Sequence, residues 1–351
     1  SLVMSTKNWL KERFPIDYQK FVEINEKIFL KEPIPNHMKK WWYCSGAMPL
    51  ILFAIQVVTG ILLTFYFVPS PEMAYESVRH ITQDVQMGFW VRGVHRWGSN
   101  LMVLALLLHI TRVFFTGSYR KPREINWIVG VLLFLLTLTF AFTGYSLINN
   151  QLAYWATTVG TNMFKDVPIF GGLILDFLRG GEDVTANTLT RFFMIHVGAL
   201  PFLTILLIAV HIIILRVHGV SEPEGFPKGH YAFYPHHFQK VIILTLFALT
   251  VLSALTIIYP PGIGVEANPS QTPLHIRPEW YFFPTYRFLK IVPLLVGIAL
   301  STAFVIGMIF WPFIEPILAK DFGIRTRISY LVGSLTIVFT VGLTVWEMFF
   351  A

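Results

Sequence analysis

Four histidines lie in two long apolar stretches, His95 and His109 in one and His196 and His211 in the other. The members of each pair are 14 and 15 residues apart, which corresponds to roughly 21–22 Å along a helix that rises about 1.5 Å per residue. A rotation of about 100° per residue keeps both members of a pair within roughly 60° of each other. Each helix therefore presents two imidazoles on one face, near opposite edges of a bilayer core about 30 Å thick. Two such helices facing each other predict two bis-histidine haem sites, stacked as an electron-transfer path across a membrane.

A single histidine in an apolar helix most often hydrogen-bonds a neighbouring carbonyl. Polar rings in hydrocarbon are nevertheless costly and usually functional, and four in this arrangement favour haem ligation over packing. Four glycines support this interpretation, because they form two pairs that are also 14 residues apart: Gly46 with Gly60, and Gly130 with Gly144. Glycine lets a flat macrocycle approach the backbone. The alternative is that these small residues serve helix–helix contacts, which are common in membranes.

Arginines flank the histidines and are candidates for pairing with haem propionates, since guanidinium binds carboxylate in bidentate geometry. Arg96 lies within a span, which favours a propionate contact, and Arg92 precedes it by one helical turn. Arg112 and Arg216 follow the second histidine of each pair. For these two, interfacial snorkelling explains the position equally well.

Composition identifies the class of protein. The 351 residues are 54% hydrophobic and 13% charged, with a mean hydropathy of +0.60, which excludes an ordinary soluble domain and indicates a polytopic membrane protein. The net charge of +7 lies in connections between apolar stretches, as topology requires, so we expect no nucleic-acid partner. A single cysteine allows no internal disulfide, no zinc cluster and no CxxCH haem-attachment motif.

Hydropathy predicts seven transmembrane helices, at about 44–67, 93–115, 125–147, 189–217, 238–259, 291–313 and 328–350. Residues 1–43 and alternate loops hold 18 Lys and Arg, against eight in the opposite loops. The N-terminus is therefore predicted on the cytoplasmic, negative side, with His95 and His196 near the positive side. We predict three parts: a cytoplasmic-side amphipathic segment (1–43), a four-helix dihaem bundle (44–222) and a three-helix region (223–351).

Two connections on the positive side are too long and too apolar to be simple turns. Residues 148–188 contain short amphipathic pieces that we expect to lie along the interface. Residues 259–290 contain six prolines, which force irregular backbone, as tolerated where it lines a cavity. Glu279, next to Trp280 and Tyr281, is the candidate acceptor of a quinol proton in this loop. Otherwise it is an ordinary loop carboxylate near the aromatic belt.

Several motifs together resemble cytochrome b of the bc and b6f complexes, over residues 36 to 315: His95-Arg96-Trp97, Gly144-Tyr145-Ser146-Leu147 and Pro278-Glu279-Trp280-Tyr281. The 15-residue interval from His196 to His211 resembles the b6 type, and 268–279 resembles subunit IV, here fused to it. The sequence departs from the family after Leu147, where Ile148-Asn149-Asn150 stands in place of the usual Pro-Trp.

The resemblance implies an all-α membrane protein that oxidises quinol at the positive side and reduces quinone at the negative side, translocating protons. His95 and His196 would ligate the low-potential haem, and His109 and His211 the high-potential haem. Glu279 and Tyr281 would line the quinol-oxidation site. Expected partners are a Rieske iron–sulfur protein, a c-type cytochrome, membrane lipid and a second copy of the complex, in a bacterial inner or other energy-transducing membrane.

Cys44 follows Tyr43 at the start of the first predicted span. In b6 proteins a Tyr-Cys pair at this position holds a third haem through one thioether, which the resemblance implies for Cys44. A lone cysteine at a membrane edge is otherwise an inert apolar residue. Two other functions remain open: a dihaem membrane anchor of a dehydrogenase or hydrogenase, and a transporter with buried histidines, which predicts a colourless protein.

Overall fold

The computed structural model describes Trp9, Glu12, Arg13 and residues 33–165, 167–222, 225–274, 276–322 and 325–350. In this part of the chain seven helices are long and apolar enough to cross a membrane. The prediction of seven spans in an all-α membrane protein is confirmed. Most of the predicted amphipathic segment at 1–43 lies outside the described residues.

The helices are, in chain order, α1 (Ala47–Thr64), α2 (Ala74–Gln83), α3 (Gly88–Phe115), α4 (Glu124–Ser146), α5 (Gln151–Asn162), α6 (Gly171–Arg179), α7 (Ala186–His218), α8 (Phe238–Ile258), α9 (Phe283–Ile291), α10 (Leu294–Phe322) and α11 (Arg325–Phe349). Short 3₁₀ turns precede α1 and α9. Two three-residue strands, β1 (Pro33–Pro35) and β2 (His230–Ala232), pair antiparallel, with Ile34 opposite Tyr231. The helices α2, α5, α6 and α9 are too short to span a bilayer, and they lie in the connections.

Helices α1, α3, α4 and α7 carry the four histidines and three of the paired glycines, and the fourth, Gly46, is the N-cap of α1. Helix α1 packs on α3, and α7 packs on α4. Small residues also allow α8 to lie close to α3, since a Cβ added at Gly93 would lie 2.2 Å from Thr256 Cγ2. A core of buried apolar side chains, including Leu52, Val94 and Leu252, joins α1, α3 and α8.

A polar cluster attaches the last two spans to the histidine-bearing helices. Buried Glu315 of α10 accepts hydrogen bonds from Arg120, at 2.7 Å from Nη2, and from Ser329, at 2.6 Å. Tyr119 hydrogen-bonds Ser329, and the Trp311 indole donates to the Tyr119 oxygen. Because a buried carboxylate without partners is costly, this network fixes α10 and α11 against the α3–α4 connection.

The outer faces of the spans are apolar. Large aliphatic side chains such as Val58, Leu246 and Val338 are more than half exposed on α1, α8 and α11. In water such faces would be an aggregation hazard, whereas in a bilayer they contact lipid at no cost. This surface agrees with an integral membrane protein.

The two long connections fold as their sequences suggest. Helices α5 and α6 occupy the predicted interfacial pieces, and described residues 260–279 contain no regular helix. Asn150 caps α5 by accepting from Ala153 N at 2.8 Å, and its amide donates to Ile263 O at 2.7 Å. Asn149, at a positive φ of 51°, donates to Pro71 O. The residues that replace the family's Pro-Trp thus join three connections at one end of the bundle.

Candidate functional site

Each of the four paired glycines faces one of the four histidines. A Cβ added at Gly60 or at Gly144 would lie 3.3 or 2.6 Å from the Cε1 atom of His95 or His196, respectively. At the other end of the bundle the same relation joins Gly46 to His109, at 3.0 Å, and Gly130 to His211, at 3.4 Å. The histidines thus form two levels, each with a glycine behind each ring. We call the level of His95 and His196 the Glu279 end, and the level of His109 and His211 the Cys44 end.

A change in helix geometry compensates for the unequal spacing of the two histidine pairs. Residues Ile195–Ala199 of α7 form a wide turn in which the Leu200 N–H bonds the Ile195 carbonyl, five residues earlier. Such π-turns add one residue to a helix and are frequent at functional sites. The turn contains His196, so the extra residue between His196 and His211 is absorbed there. The 15-residue pair is thereby brought into phase with the 14-residue pair on α3.

The two rings at the Glu279 end are placed as ligands of one metal ion would be. The centroids of His95 and His196 are 6.4 Å apart, with a 73° angle between the ring planes. Metal–imidazole bonds of about 2.0–2.1 Å put the centroids of two rings that share one ion roughly 6–7 Å apart. The Nδ1 atoms face threonine hydroxyls, Thr59 at 2.9 Å and Thr143 at 3.0 Å, so Nε2 is the nitrogen available for ligation.

The donor set fits haem iron better than a metal held by protein alone. Among the described residues no group of three or more His, Cys, Asp and Glu side chains is placed to hold a metal ion, whereas protein-only metal sites use three or four ligands. Haem needs only axial ligands from the protein, and it needs space for a flat ring. Two histidines and two glycines at each level meet both requirements.

The Cys44 end contains a cavity of about 690 Å³. Its lining includes both histidines of this level and four further side chains that bear on function: Cys44, Arg112, Arg216 and His237. Cys44 is buried and its thiol donates to Met38 O at 3.2 Å. Burial raises the pKa of this thiol, against the opposing effect of Lys240 and Arg112. The structure therefore brings the cysteine to the same cavity as His109 and His211.

The four predicted arginines fall into two groups. Arg112 and Arg216 line the cavity at the Cys44 end. At the Glu279 end, Arg92 donates to the carbonyls of Pro261 and Gly262, both at 2.8 Å. Its guanidinium therefore binds the proline-rich connection, and a propionate contact from Arg92 stays a prediction. Arg96 pairs with Glu279.

The proline-rich connection docks on α3 through polar contacts. Arg96 Nη2 lies 2.6 Å from Glu279 Oε1, and the Trp280 indole donates to Asn100 Oδ1 at 2.7 Å. Burial and the neighbouring Glu279 carboxylate raise the pKa of the Tyr281 phenol. Glu279 and Tyr281, predicted from sequence, are therefore brought beside the residue that follows His95.

Three polar side chains near these sites carried no prediction. Thr59 and Thr143 precede paired glycines, and a hydroxyl beside three of the four histidines could be expected from the repeat of Ser or Thr before Gly at 45, 59 and 143. Glu347, fully buried in α11, lies 3.6–3.8 Å from three basic side chains of the proline-rich connection and α9, namely Arg277, Arg287 and Lys290. The sequence does give an indication of Glu347, because an acidic residue inside an apolar span is usually functional.

Comparison with known proteins agrees with this arrangement. A family model described as cytochrome b/b6/petB matches residues 29–219, and one described as cytochrome b (C-terminal)/b6/petD matches residues 266–348. The cytochrome bc complex cytochrome b subunit of Chlorobaculum thiosulfatiphilum is 39% identical over 322 residues, 88% of this chain and 73% of that protein. Cytochrome b6 of Heliobacterium mobile is 42% identical over 216 residues, 62% of this chain and 99% of that protein. A solved structure described as a hyperthermophilic respiratory Complex III aligns with a TM-score of 0.74 at 25% identity, over 97% of this chain and 98% of that one. The chain belongs to the cytochrome b/b6 family.

Proposed function

We propose that the chain is the cytochrome b subunit of a bc-type quinol:cytochrome c oxidoreductase, with two b-type haems held by His95–His196 and His109–His211. The observation that carries the proposal is that each of these four histidines faces a glycine, at two levels of one bundle. The predicted division into a dihaem bundle (44–222) and a subunit IV-like region (223–351) is part of this proposal. When bound, the haems supply one-electron transfer across the membrane.

The Glu279 end is the proposed site of quinol oxidation. Glu279 Oε1 lies 2.6 Å from Arg96 Nη2, and a carboxylate at this place can accept a proton from a quinol hydroxyl. Protonation neutralises the carboxylate and weakens its ion pair with Arg96, which frees the side chain to turn away and release the proton. Tyr281, whose raised pKa keeps the phenol protonated, serves as a hydrogen-bond donor to the substrate.

The Cys44 end is the proposed site of quinone reduction. Its cavity of about 690 Å³ is lined in part by the two paired strands, through Ile34 of β1 and His230 of β2. The Cys44 thiol lines this cavity beside His109, which supports attachment of a third haem through a single thioether. Arg112 and Arg216 provide positive charge for carboxylates at this end.

Partners and orientation follow from the same proposal. With one cysteine the chain cannot hold an iron–sulfur cluster, so a Rieske protein must take one electron from quinol, and a c-type cytochrome must follow it. We infer a homodimeric complex in which residues 33–46 lie on the negative side of the membrane. Proton release at the Glu279 end and proton uptake at the Cys44 end then build a membrane potential.

A dihaem anchor subunit of a dehydrogenase or hydrogenase is the alternative. It accounts for the two histidine levels but assigns no role to the contact between Glu279 and Arg96. A Rieske protein that purifies in stoichiometric amount with the chain supports the bc-type complex, and its absence favours the anchor.

Acid–acetone extraction of the purified complex, followed by pyridine haemochrome spectra of extract and residue, tests the cofactor content. We expect two extractable b haems and one retained haem per chain. Two extractable haems with none retained would keep the dihaem path and remove the role of Cys44. A preparation without haem would refute the proposed function.

A further inference from the structure

The two histidine levels differ in the hydrogen bonds made by the ring nitrogens that point away from the proposed ligand position. The residue before each paired glycine is Thr59 or Thr143 at the Glu279 end and Ser45 or Val129 at the Cys44 end. The hydroxyls of the first three lie 2.9–3.3 Å from Nδ1 of His95, His196 and His109, whereas the described residues offer His211 Nδ1 no hydrogen-bond partner. What differs between the two levels is therefore a side-chain hydroxyl.

At the Glu279 end both rings have a hydroxyl acceptor. Thr59 Oγ1 lies 2.9 Å from His95 Nδ1 and donates its own proton to Ile55 O at 2.7 Å. Thr143 Oγ1 lies 3.0 Å from His196 Nδ1 and donates to Thr139 O at 2.8 Å. A hydroxyl has a single proton, so each threonine must accept a hydrogen bond from Nδ1–H. Both rings are thereby fixed with the proton on Nδ1.

At the Cys44 end the hydroxyls are weaker or missing. Ser45 Oγ lies 3.3 Å from His109 Nδ1 and also accepts from Arg112 Nε at 3.3 Å. Because Arg112 donates to the same Ser45 oxygen, that oxygen is a weaker hydrogen-bond acceptor for the His109 imidazole. For His211 the residue before the paired glycine is Val129, which has no hydroxyl, and no side chain of the described residues hydrogen-bonds His211 Nδ1.

We propose that Thr59 and Thr143 are positioning residues that lower the reduction potential at the Glu279 end relative to the Cys44 end, and that Val129 and the Ser45–Arg112 contact keep the potential at the Cys44 end high. This rests on the proposed bis-histidine haems. A hydrogen bond from Nδ1–H to an acceptor raises the basicity of the ligating nitrogen, and a more electron-rich ligand favours oxidised over reduced iron. The hydroxyl pattern therefore makes electron transfer from the Glu279 end to the Cys44 end downhill.

Equilibrium redox titration of the purified haem-containing complex, followed in the α-band of each haem, tests the proposal. We expect Thr59→Val with Thr143→Val to increase the reduction equilibrium constant of the Glu279-end haem at least tenfold, or about 59 mV for one electron. Thr59→Ser, which keeps a hydroxyl, should leave the reduction potential of the Glu279-end haem as it is in the unmodified complex. Thr139→Val is the matched control, because Thr139 is exposed on the same helix and its hydroxyl bonds only Leu135 O.

The reverse substitution tests the other level. Val129→Thr adds a hydroxyl before Gly130, so it should lower the potential of the Cys44-end haem and leave the other haem unchanged. This variant also covers the case in which the threonine variants fail to assemble. Unchanged potentials in complexes that keep their bis-histidine spectra, or shifts of opposite sign, would overturn the proposal. Absence of haem from the unmodified complex would instead refute the proposed function.

Discussion

Arg96 on α3 and Glu279 in the proline-rich connection are 183 residues apart in sequence and form an ion pair with an Nη2–Oε1 distance of 2.6 Å. The pair joins the residue next to a proposed haem ligand to the proposed proton acceptor. It is partly buried, where a charge contact is stronger than at the surface. Any change of the Glu279 charge is therefore transmitted directly to the helix that carries His95 and His109.

Glu279→Gln should abolish most quinol oxidation while leaving the haems in place. The amide keeps the shape of the side chain but cannot accept a proton, and a general base contributes about 10²–10⁴-fold to a rate. Steady-state quinol oxidation and haem content of the purified complex measure both effects. Glu266→Gln, an exposed position in the same connection, is the control and should retain full activity. A variant with normal turnover would show that another group takes the proton.

Gly144→Ala should displace His196 and reduce haem binding at the Glu279 end. The added Cβ would lie 2.6 Å from Cε1 of the ring, closer than packed atoms approach, so ring or helix must move. The measurements are the haem-to-protein ratio and the α-band absorbance of the haem at the Glu279 end. Gly198→Ala in α7 is the matched control, because no neighbouring atom would lie within 4 Å of the added Cβ. Equal haem content in both variants would argue that the glycine serves helix packing alone.

The arrangement of the histidine levels could be predicted because it depends on helical periodicity, which spacing alone reveals. The same periodicity identified Gly46 and Gly144 as partners of the rings. It could not reveal the wide turn at His196, because sequence spacing assumes regular helix geometry throughout. Thr59 and Thr143 were missed for another reason: a threonine in an apolar helix usually bonds the carbonyl four residues earlier. Whether the same hydroxyl also contacts a histidine depends on how a neighbouring helix packs against it.

Arg92 illustrates a different limit. Its position near His95 predicts a propionate contact, which stays a prediction, and the structure adds a contact that the sequence did not indicate: its guanidinium donates to the carbonyls of Pro261 and Gly262. The backbone of an irregular connection has unpaired carbonyls that no sequence pattern locates. A long-range contact of this kind depends on how the connection folds over the bundle, and only the structure provides it.

Cys44→Ala should remove the retained haem from the acid–acetone residue and leave two extractable b haems. The thiol is the only sulfur nucleophile of the chain, and it lines the cavity at the Cys44 end. Haem-stained denaturing gels and pyridine haemochrome spectra make the comparison. Ser221→Ala, at another residue of the cavity lining, is the control and should keep the retained haem. A retained haem in Cys44→Ala would place the attachment outside this cavity.

Glu347→Gln should loosen the contact between α11 and the proline-rich connection. The carboxylate is fully buried among Arg277, Arg287 and Lys290, and Arg287 also lies 4.2 Å above the Trp346 ring. Removing the charge leaves these cations facing one another, and we expect a loss of about 2–3 kcal/mol, less than for a fully buried pair because two of the cations are partly exposed.

Thermal unfolding of the complex in detergent measures this loss of stability. Glu76→Gln is the control, because the Glu76–Arg79 ion pair on α2, with an N–O distance of 2.6 Å, is exposed to solvent and contributes little to stability. Because α9 begins two residues after Tyr281, a mobile α9 also leaves Glu279 less well placed. Glu347→Gln should therefore lower quinol oxidation without changing haem content. Unchanged unfolding and turnover would mean that the three cations are held by contacts other than this carboxylate, and that the last span has no part in positioning the oxidation site.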